Sequence, residues 1–182
     1  MTGTTASKTT AAQTGTTVRR LTVTAVFAAL ITLMTAYICH IPVGANGGYV
    51  HLGDSIIYLA AALLPLPYAC AAGAIGGGLA DLLTAPVWAP ATIIIKMLIC
   101  LPFSCKGSKF VTKRNVIALF LAFLISGTGY YIAEGIMFGF NVAFFTSLSG
   151  SLVQSGGSAI VFVIIGMALD RIGFKSNIAK GI

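Results

Sequence analysis

The chain has 182 residues, of which 57% are hydrophobic and only 8% are charged, and its formal net charge is +7. A soluble domain of this size carries about 25% charged residues, so the composition excludes an ordinary soluble protein. The alternation of polar and apolar residues that marks a membrane β-barrel is absent from the sequence. We therefore predict an all-α integral membrane protein. The Lys and Arg residues lie at the ends of apolar segments, which favours a role in membrane topology over nucleic-acid binding.

The N-terminal segment differs from the rest of the chain. Residues 1–18 contain eight threonines and no apolar period, which predicts a disordered tail. Arg19 and Arg20 precede the first apolar run in the manner of a secretory signal. Because everything downstream is also apolar, we expect an uncleaved first span instead. The membrane domain then covers residues 19–175, and residues 176–182 form a short cytoplasmic tail.

Six apolar segments follow one another, and they predict a compact bundle of six transmembrane helices. The second and fourth segments are shorter than the roughly 20 residues that a helix needs to cross the hydrocarbon core. A polar, glycine-rich loop separates the first two segments, and a basic loop separates the fourth from the fifth. The predicted spans are 21–41, 54–64, 68–84, 91–101, 116–138 and 152–169.

The positions of the basic residues predict the orientation. Lys and Arg lie before the first span, between the fourth and fifth spans and after the sixth, whereas the loops after spans one, three and five contain none. Basic loops stay in the cytoplasm. We therefore predict a multi-pass protein of the cell membrane with both termini cytoplasmic.

Four ionisable residues, Asp54, Asp81, Lys96 and Glu134, fall in the outer half of the predicted spans. Charged groups inside hydrocarbon are costly unless they are paired or functional. Their common depth predicts a polar pocket that is open to the outside. Lys96 is expected to pair with Asp81 or Asp54, and we interpret these three residues as a buried polar group with a structural role.

Aromatic and amide side chains accompany these charges at helical spacing, since Tyr130, Glu134 and Asn141 fall at i, i+4 and i+11 on one face of span five. A small, flat, polar ring compound needs stacking surface together with a few hydrogen-bond partners. For Trp88 and Tyr130 a place in the interfacial aromatic belt is the alternative, and for His51 it is a solvated loop position. The residues predicted to bind substrate are Glu134, Tyr130, Asn141, Gln154, Trp88, Thr92 and His51.

The cysteines do not predict a metal or redox site. Cys39, Cys70, Cys100 and Cys105 lie in or beside apolar runs and show no Cys-x-x-Cys or histidine spacing. We interpret them as small packing residues. Neither a metal nor a cofactor is expected in this chain.

The ordered polar motifs resemble the S component of energy-coupling-factor (ECF) vitamin transporters, over about residues 20–172. The similarity is greatest to the riboflavin-type branch, which includes hydroxymethylpyrimidine and pyridoxine carriers. The motifs that carry the resemblance are His51-Leu-Gly-Asp-Ser55, Tyr58-Leu-Ala-Ala-Ala-Leu-Leu64, Gly73-Ala-Ile-Gly-Gly-Gly-Leu-Ala-Asp-Leu82 and Ala89-Pro-Ala-Thr-Ile-Ile-Ile-Lys96.

The resemblance implies a substrate-binding subunit. Such a subunit captures a vitamin-like small molecule from outside, docks on a transmembrane coupling subunit (the T component) and releases the vitamin inside. Two partner ATPase subunits bind and hydrolyse the ATP, and the chain lacks the phosphate loop that it would need for this itself. Ala25 and Ala29 are similar to the family's docking motif. Hydroxymethylpyrimidine is the substrate that we favour, with pyridoxine and riboflavin as alternatives.

Two other classes of function remain open from the residues. A membrane-embedded enzyme would require clustered acid, base or metal groups, such as two His and a Glu on one helix face. An ion-coupled carrier or channel could use Asp54, Asp81 and Glu134 as relay groups. Tight substrate binding by the isolated protein without a proton gradient favours the S component over the carrier.

Overall fold

The computed structural model describes residues 3–38, 40–43 and 48–178. A π-helical turn, Met34–Ile38, extends the first helix, and a 3₁₀ turn, Pro86–Trp88, leads into the fourth. Two short antiparallel strands, β1 (Ile41–Val43) and β2 (Gly48–Val50), pair Ile41 with Val50. The helices are α1 (Gly3–Leu33), α2 (Asp54–Leu63), α3 (Leu66–Thr84), α4 (Ala89–Leu98), α5 (Lys113–Phe138), α6 (Phe140–Arg171) and α7 (Phe174–Ile178).

The helical segments divide into long and short ones. The 10 residues of α2 rise only about 15 Å, roughly half of the ~30 Å hydrocarbon core. The segment Pro86–Leu98 is likewise apolar but short. The chain is thus a helical membrane protein, and its described residues include four helices long and apolar enough to cross a membrane: Gln13–Ile38, Leu66–Thr84, Lys113–Phe138 and Ser149–Arg171. The six crossings and the cytoplasmic termini remain predictions.

The start of α1 differs from the predicted disordered tail. The helix begins at Gly3 and so includes most of the threonine-rich segment. The hydroxyl groups of Thr17 and Thr22 donate to the carbonyls of Gln13 and Val18, at 3.1 and 3.0 Å. This local bonding accommodates threonine in a helix, because each hydroxyl finds its acceptor one turn back.

The connection between α5 and α6 is much shorter than predicted. Gly139 alone separates the two helices, with φ at +98°, a conformation that glycine adopts at little cost. The sequence had predicted no span between residues 138 and 152, and it had placed Asn141 on the substrate-facing side of span five. That placement is wrong, because Asn141 lies beyond the glycine break on α6 and is exposed.

The helix α2 lies at the centre of the molecule. Its residues from Ile57 to Leu63 are all buried, and it packs against α1, α3 and α6. The glycines of α3 allow close approach on two sides. A Cβ atom on Gly76 would come within 2.7 Å of the Ala28 carbonyl oxygen, and one on Gly73 within 2.9 Å of the Lys96 carbonyl oxygen. Close packing through small residues is typical of membrane helices, and here it holds α4 against the bundle.

Candidate functional site

A buried ion pair joins α2 to α4. Lys96 Nζ lies 2.6 Å from Asp54 Oδ1, and both side chains have no exposed surface. The amide of Gln154, on α6, donates to Asp54 Oδ2 at 3.0 Å. Asp54 also occupies the first turn of α2, where the helix dipole favours a negative charge. Both carboxylate oxygens therefore have a donor, which is the condition under which a buried pair is tolerated.

Aromatic groups continue this network toward α5. Lys96 Nζ lies 5.3 Å from the centroid of the Tyr130 ring. The Tyr130 hydroxyl is 2.9 Å from the hydroxyl of Thr92, one turn before Lys96. Trp88, from the 3₁₀ turn, meets Tyr130 edge-on with ring centroids 6.1 Å apart. The two rings and the ion pair thus form one continuous group.

We call this group the outer polar cluster, after the side of the membrane on which the sequence predicts it to lie. The sequence had singled out every member, although it placed them on separate spans, and the structure brings them into contact from four helices and one turn. Burial of Trp88 and contact of Tyr130 with Lys96 differ from what lipid-facing belt residues would show. The members are Asp54, Trp88, Thr92, Lys96, Tyr130 and Gln154.

Asp81 contacts the β-hairpin instead of Lys96. The hydroxyl of Tyr49, on β2, donates to Asp81 Oδ1. The His40 ring stacks on Tyr49 with centroids 3.9 Å apart. Burial and the neighbouring carboxylate raise the pKa of Tyr49, so the phenol remains a donor. The sequence left Asp54 and Asp81 open as partners of Lys96, and the geometry selects Asp54.

His51 is buried, so the solvated alternative is wrong for this residue. The Gly53 N–H donates to His51 Nδ1 at 3.0 Å, which assigns the ring proton to Nε2. Burial, and after it the nearby Lys96 ammonium, lower the pKa of His51 to about 3. Neutral His51 therefore adds no positive charge beside the outer polar cluster.

Glu134 and Asn141 lie apart from the contacts just described. Glu134 is buried one turn beyond Tyr130 on α5, and the hydroxyl of Ser147 donates to Glu134 Oε2. This bond joins α5 to α6. Asn141 is exposed, as described above. Whether these two residues contact substrate stays a prediction.

Near the outer polar cluster, five buried polar groups have no hydrogen-bond partner among the described residues, and of these only Trp88 was predicted to bind substrate. Tyr58 follows Asp54 by four residues, Ser126 precedes Tyr130 by four, and Ser158 follows Gln154 by four. This i,i+4 spacing places each of the three on the same helix face as a member of the outer polar cluster, and it is the sequence signal that could have identified them. Buried donors without acceptors are costly, so each favours a bound polar group. The buried groups are Tyr58 Oη, Trp88 Nε1, Ser126 Oγ, Ser155 Oγ and Ser158 Oγ.

Tyr58 also belongs to a buried aromatic cluster. The Tyr58 ring stacks on Phe103 with centroids 5.1 Å apart and meets Phe162 edge-on at 6.1 Å. Phe103 and Phe162 also contact each other at 6.0 Å. The ring of Tyr58 thus packs among aromatic side chains, while its hydroxyl is one of the buried polar groups named above.

Within the described residues, no group of three His, Cys, Asp or Glu side chains could hold a metal ion. Cys70, Cys100 and Cys105 are free thiols, and Cys39 lies outside the described residues. A separate groove of about 290 Å³ has mostly apolar walls, made by residues of α5 together with Phe144. None of the predicted substrate-binding residues lines it.

The fold and the site define a class of protein: a helical membrane protein that buries a polar, aromatic-lined cluster among short and long helices. A family model described as "ECF-type riboflavin transporter, S component" matches residues 15–171. The chain therefore belongs to this family, whose members have the substrate-binding role in vitamin transport and work with a T component and ATPases. The family is one of transporter subunits, not of enzymes.

The chain is also similar to a protein described as "Uncharacterized protein in gap 3'region" from Pyrococcus woesei. The two are 38% identical over 63 residues, which is 35% of this chain. The matched part spans 43% of that protein's length.

Proposed function

We propose that this chain is an S component that captures a small vitamin or vitamin precursor from outside, with hydroxymethylpyrimidine as the first candidate and pyridoxine or riboflavin as alternatives. The observation that carries the proposal is the outer polar cluster, found in a chain of this family. Trp88 and Tyr130 supply aromatic surface, and buried donors such as Trp88 Nε1 lack an acceptor. A flat ring with acceptor atoms matches both features.

Two contacts support the proposed topology, in which α2 and the Pro86–Leu98 segment complete six crossings. Asp170, at the end of α6, accepts hydrogen bonds from the backbone N–H groups of Phe110 and Val111. The basic loop and the C-terminal end of α6 therefore lie on one side of the molecule. The exposed cations Lys106, Lys109 and Arg171 also lie there, and basic residues favour the cytoplasmic side.

Docking to the T component through Ala25 and Ala29 is the second part of the proposal. Both residues are exposed on α1, whereas Ala28 and Ile31 on its other face pack against Gly76. A strip of small side chains lets a partner helix approach closely. The strip is also remote in sequence from every member of the outer polar cluster.

The binding function is tested by purifying the full chain in mild detergent and identifying the compound that it retains. Calorimetry with hydroxymethylpyrimidine, pyridoxine and riboflavin then ranks the candidates. We expect one of them to bind without any ion gradient. Binding that requires a proton or sodium gradient would instead favour an ion-coupled carrier.

Docking is tested by Ala25→Trp and Ala29→Trp in vesicles that contain the complete transporter. Each substitution should abolish ATP-dependent uptake and leave binding by the isolated chain unchanged, because the bulky ring blocks helix approach. Val26→Trp, at an exposed but already large residue, is the matched control. Full uptake by both alanine variants would show that the docking face lies elsewhere.

A further inference from the structure

Two of the cysteines that were interpreted above as packing residues lie side by side, where α3 begins and α4 ends. Cys70 is in the second turn of α3, and Cys100 follows the last residue of α4 by two positions. Their thiols are within hydrogen-bonding reach of each other. The two residues are far apart in the chain, so the packing of α3 against α4 brings them together. The structure thus holds a pair of thiols that the sequence did not predict.

The hydrogen bonds of the two thiols show how closely the segments approach. The Cys70 thiol donates to the Met97 carbonyl oxygen at 3.6 Å, and that oxygen also accepts from the Cys100 backbone N–H at 3.2 Å. The Cys100 thiol donates to the carbonyl oxygen of Ala69, the residue before Cys70, at 3.6 Å. A Cβ atom on Gly73 would lie 3.5 Å from Cys100 Sγ, so the glycine leaves room for this thiol. Both sulfur atoms are therefore held at the contact between the two segments.

The two thiols differ in exposure, and this difference gives each of them a separate role. Cys70 is half-buried, so a small reagent can reach it, whereas Cys100 has no exposed surface. Redox-sensitive cysteines combine an accessible thiol with a second thiol that resolves its oxidised form. Cys70 therefore suits the first role and Cys100 the second.

We propose that Cys70 and Cys100 form a reversible redox site that a hydroperoxide oxidises to a disulfide. With hydrogen peroxide, the Cys70 sulfur attacks one peroxide oxygen, the O–O bond breaks, and the leaving hydroxide takes the Cys70 proton to become water. The Cys100 sulfur then attacks the sulfenic acid formed at Cys70, the S–O bond breaks, and a second water leaves with the Cys100 proton. In total the thiols lose two electrons and two protons, and one peroxide is reduced to two waters.

The disulfide is expected to be transient. A thiol reductant reverses it by attacking one of the two sulfur atoms and forming a mixed disulfide. In the predicted topology the start of α3 and the end of α4 lie at the cytoplasmic side, where cellular reductants keep most thiols reduced. A disulfide at this position therefore reports an oxidant and does not serve as a permanent cross-link.

Oxidation also affects the outer polar cluster, through one turn of helix. The Cys100 thiol donates to the Lys96 carbonyl oxygen at 3.3 Å, and a disulfide has no hydrogen for this bond. A Cβ atom on Gly73 would lie 2.9 Å from the same oxygen, so α3 and α4 are in close contact there. The disulfide therefore alters the turn that carries Lys96, the partner of Asp54. Its effect on ligand binding rests on the proposed function, whereas formation of the disulfide does not.

The first experiment oxidises the full chain, reduced and purified in detergent, with hydrogen peroxide. We expect intact-mass spectrometry to show the loss of two hydrogens, and peptide mapping to find the peptides of Cys70 and Cys100 joined. Dithiothreitol should restore both thiols. Cys70→Ser and Cys100→Ala should not form the bond, and Cys105→Ser, at another half-buried thiol, is the matched control that should form it. In Cys100→Ala, dimedone should trap the sulfenic acid at Cys70.

The outcome in the wild-type chain decides the proposal, so it stands even where a variant fails to fold. A reversible link between Cys70 and Cys100 in the folded protein supports it. Absence of that link after peroxide treatment would overturn it. A link from either residue to Cys39 or Cys105 instead would overturn it as well.

The second experiment measures ligand binding by the reduced and the oxidised chain. Calorimetry uses hydroxymethylpyrimidine, pyridoxine and riboflavin. The affinity for the compound that binds should fall at least about threefold on oxidation, because the turn that carries Lys96 loses one hydrogen bond. The affinity should recover on reduction, and Cys70→Ser should not respond to peroxide. Equal affinities of the reduced and fully linked chains would overturn the coupling to Lys96 and leave the proposed function intact. Absence of binding in both states would overturn the proposed function but not the redox site.

Discussion

Each end of the bundle buries a lysine and holds a carboxylate, but the two ends use these groups differently. In the outer polar cluster Lys96 and Asp54 bond to each other across two helices. At the opposite end, Asp170 accepts from the backbone N–H groups of Phe110 and Val111 at 2.7 and 3.0 Å. There Lys175 donates to the Lys109 carbonyl oxygen at 3.2 Å. We call this second group, with Asn115, the loop clamp.

The loop clamp supplies hydrogen-bond partners for the backbone groups of the irregular connection between α4 and α5. The side chain of Asn115 donates to the carbonyls of Ser104 and Phe110 and accepts from the Ser104 N–H. Buried backbone groups must find partners, and a loop has no ladder to supply them. The outer polar cluster instead joins side chain to side chain. The comparison shows that a buried charged group can serve the loop backbone alone, so burial of a charge does not by itself indicate a binding site.

The largest expected effect comes from Lys96→Met, which leaves Asp54 buried without its counter-charge. We expect a loss of about 3–5 kcal/mol in the free energy of unfolding, measured by thermal or denaturant unfolding in detergent. The double variant Lys96→Met/Asp54→Leu should recover part of this loss because it removes the orphaned charge. Strictly additive losses in this cycle would show that the two groups are not coupled.

Removing the Asp170 carboxylate should lower the free energy of unfolding by less than Lys96→Met does, and it should leave ligand affinity unchanged. Asp170→Ala deprives two N–H groups of a charged acceptor, which costs about 1.5–3 kcal/mol. Ligand affinity should stay at the wild-type value, because Asp170 lies at the other end of α6. A weakened affinity in the folded variant would contradict the division into a binding end and a structural end.

Gln154→Ala tests the amide that donates to Asp54. Its loss should weaken ligand binding by about 1–2 kcal/mol, because the cluster loses one buried hydrogen bond and a fixed geometry. Leu152→Ala is a matched control on the same helix, since Leu152 is exposed and is not among the predicted substrate-binding residues. Calorimetry that finds equal affinities for the two variants would argue that Gln154 has no part in binding.

The smallest effect concerns Lys175. Burial lowers the pKa of its ammonium in the folded state. The folded protein therefore binds this proton less readily than the unfolded chain does. The resulting penalty is absent above the ordinary lysine pKa of about 10.4, grows as the pH falls from there to the lowered folded pKa, and stays constant below it. Unfolding of Lys175→Met between pH 7 and 10 should show a weaker gain of stability with pH than wild type. Identical slopes would contradict this assignment.

The helices were predictable because the backbone N–H and C=O groups of a membrane-spanning segment must bond to each other. A long apolar segment therefore predicts a helix. The segments centred on α2, α3, α4 and α5 match the predicted spans to within a few residues. The structure differs from the sequence prediction at both ends of the long helices: α1 begins at Gly3, and the conformation of Gly139 replaces a predicted loop with a single residue. The β-hairpin left no signal in the glycine-rich loop.

The sequence by itself determined the class of protein, the approximate helices and the residue types of the site, because hydrophobic length and the rarity of buried charge are properties of the chain alone. The sequence could not decide between Asp54 and Asp81 as the partner of Lys96, because the order of the predicted helices allows either carboxylate to lie beside α4. Tertiary structure made that choice, because the close packing at Gly73 and Gly77 brings α4 against α3 and positions Lys96 for the start of α2. It also separated Asn141 from Tyr130 and brought Tyr49 to Asp81. Hydrogen bonds depend on positions within a few tenths of an ångström, and such positions are set by how whole helices pack rather than by the spacing of residues along one of them.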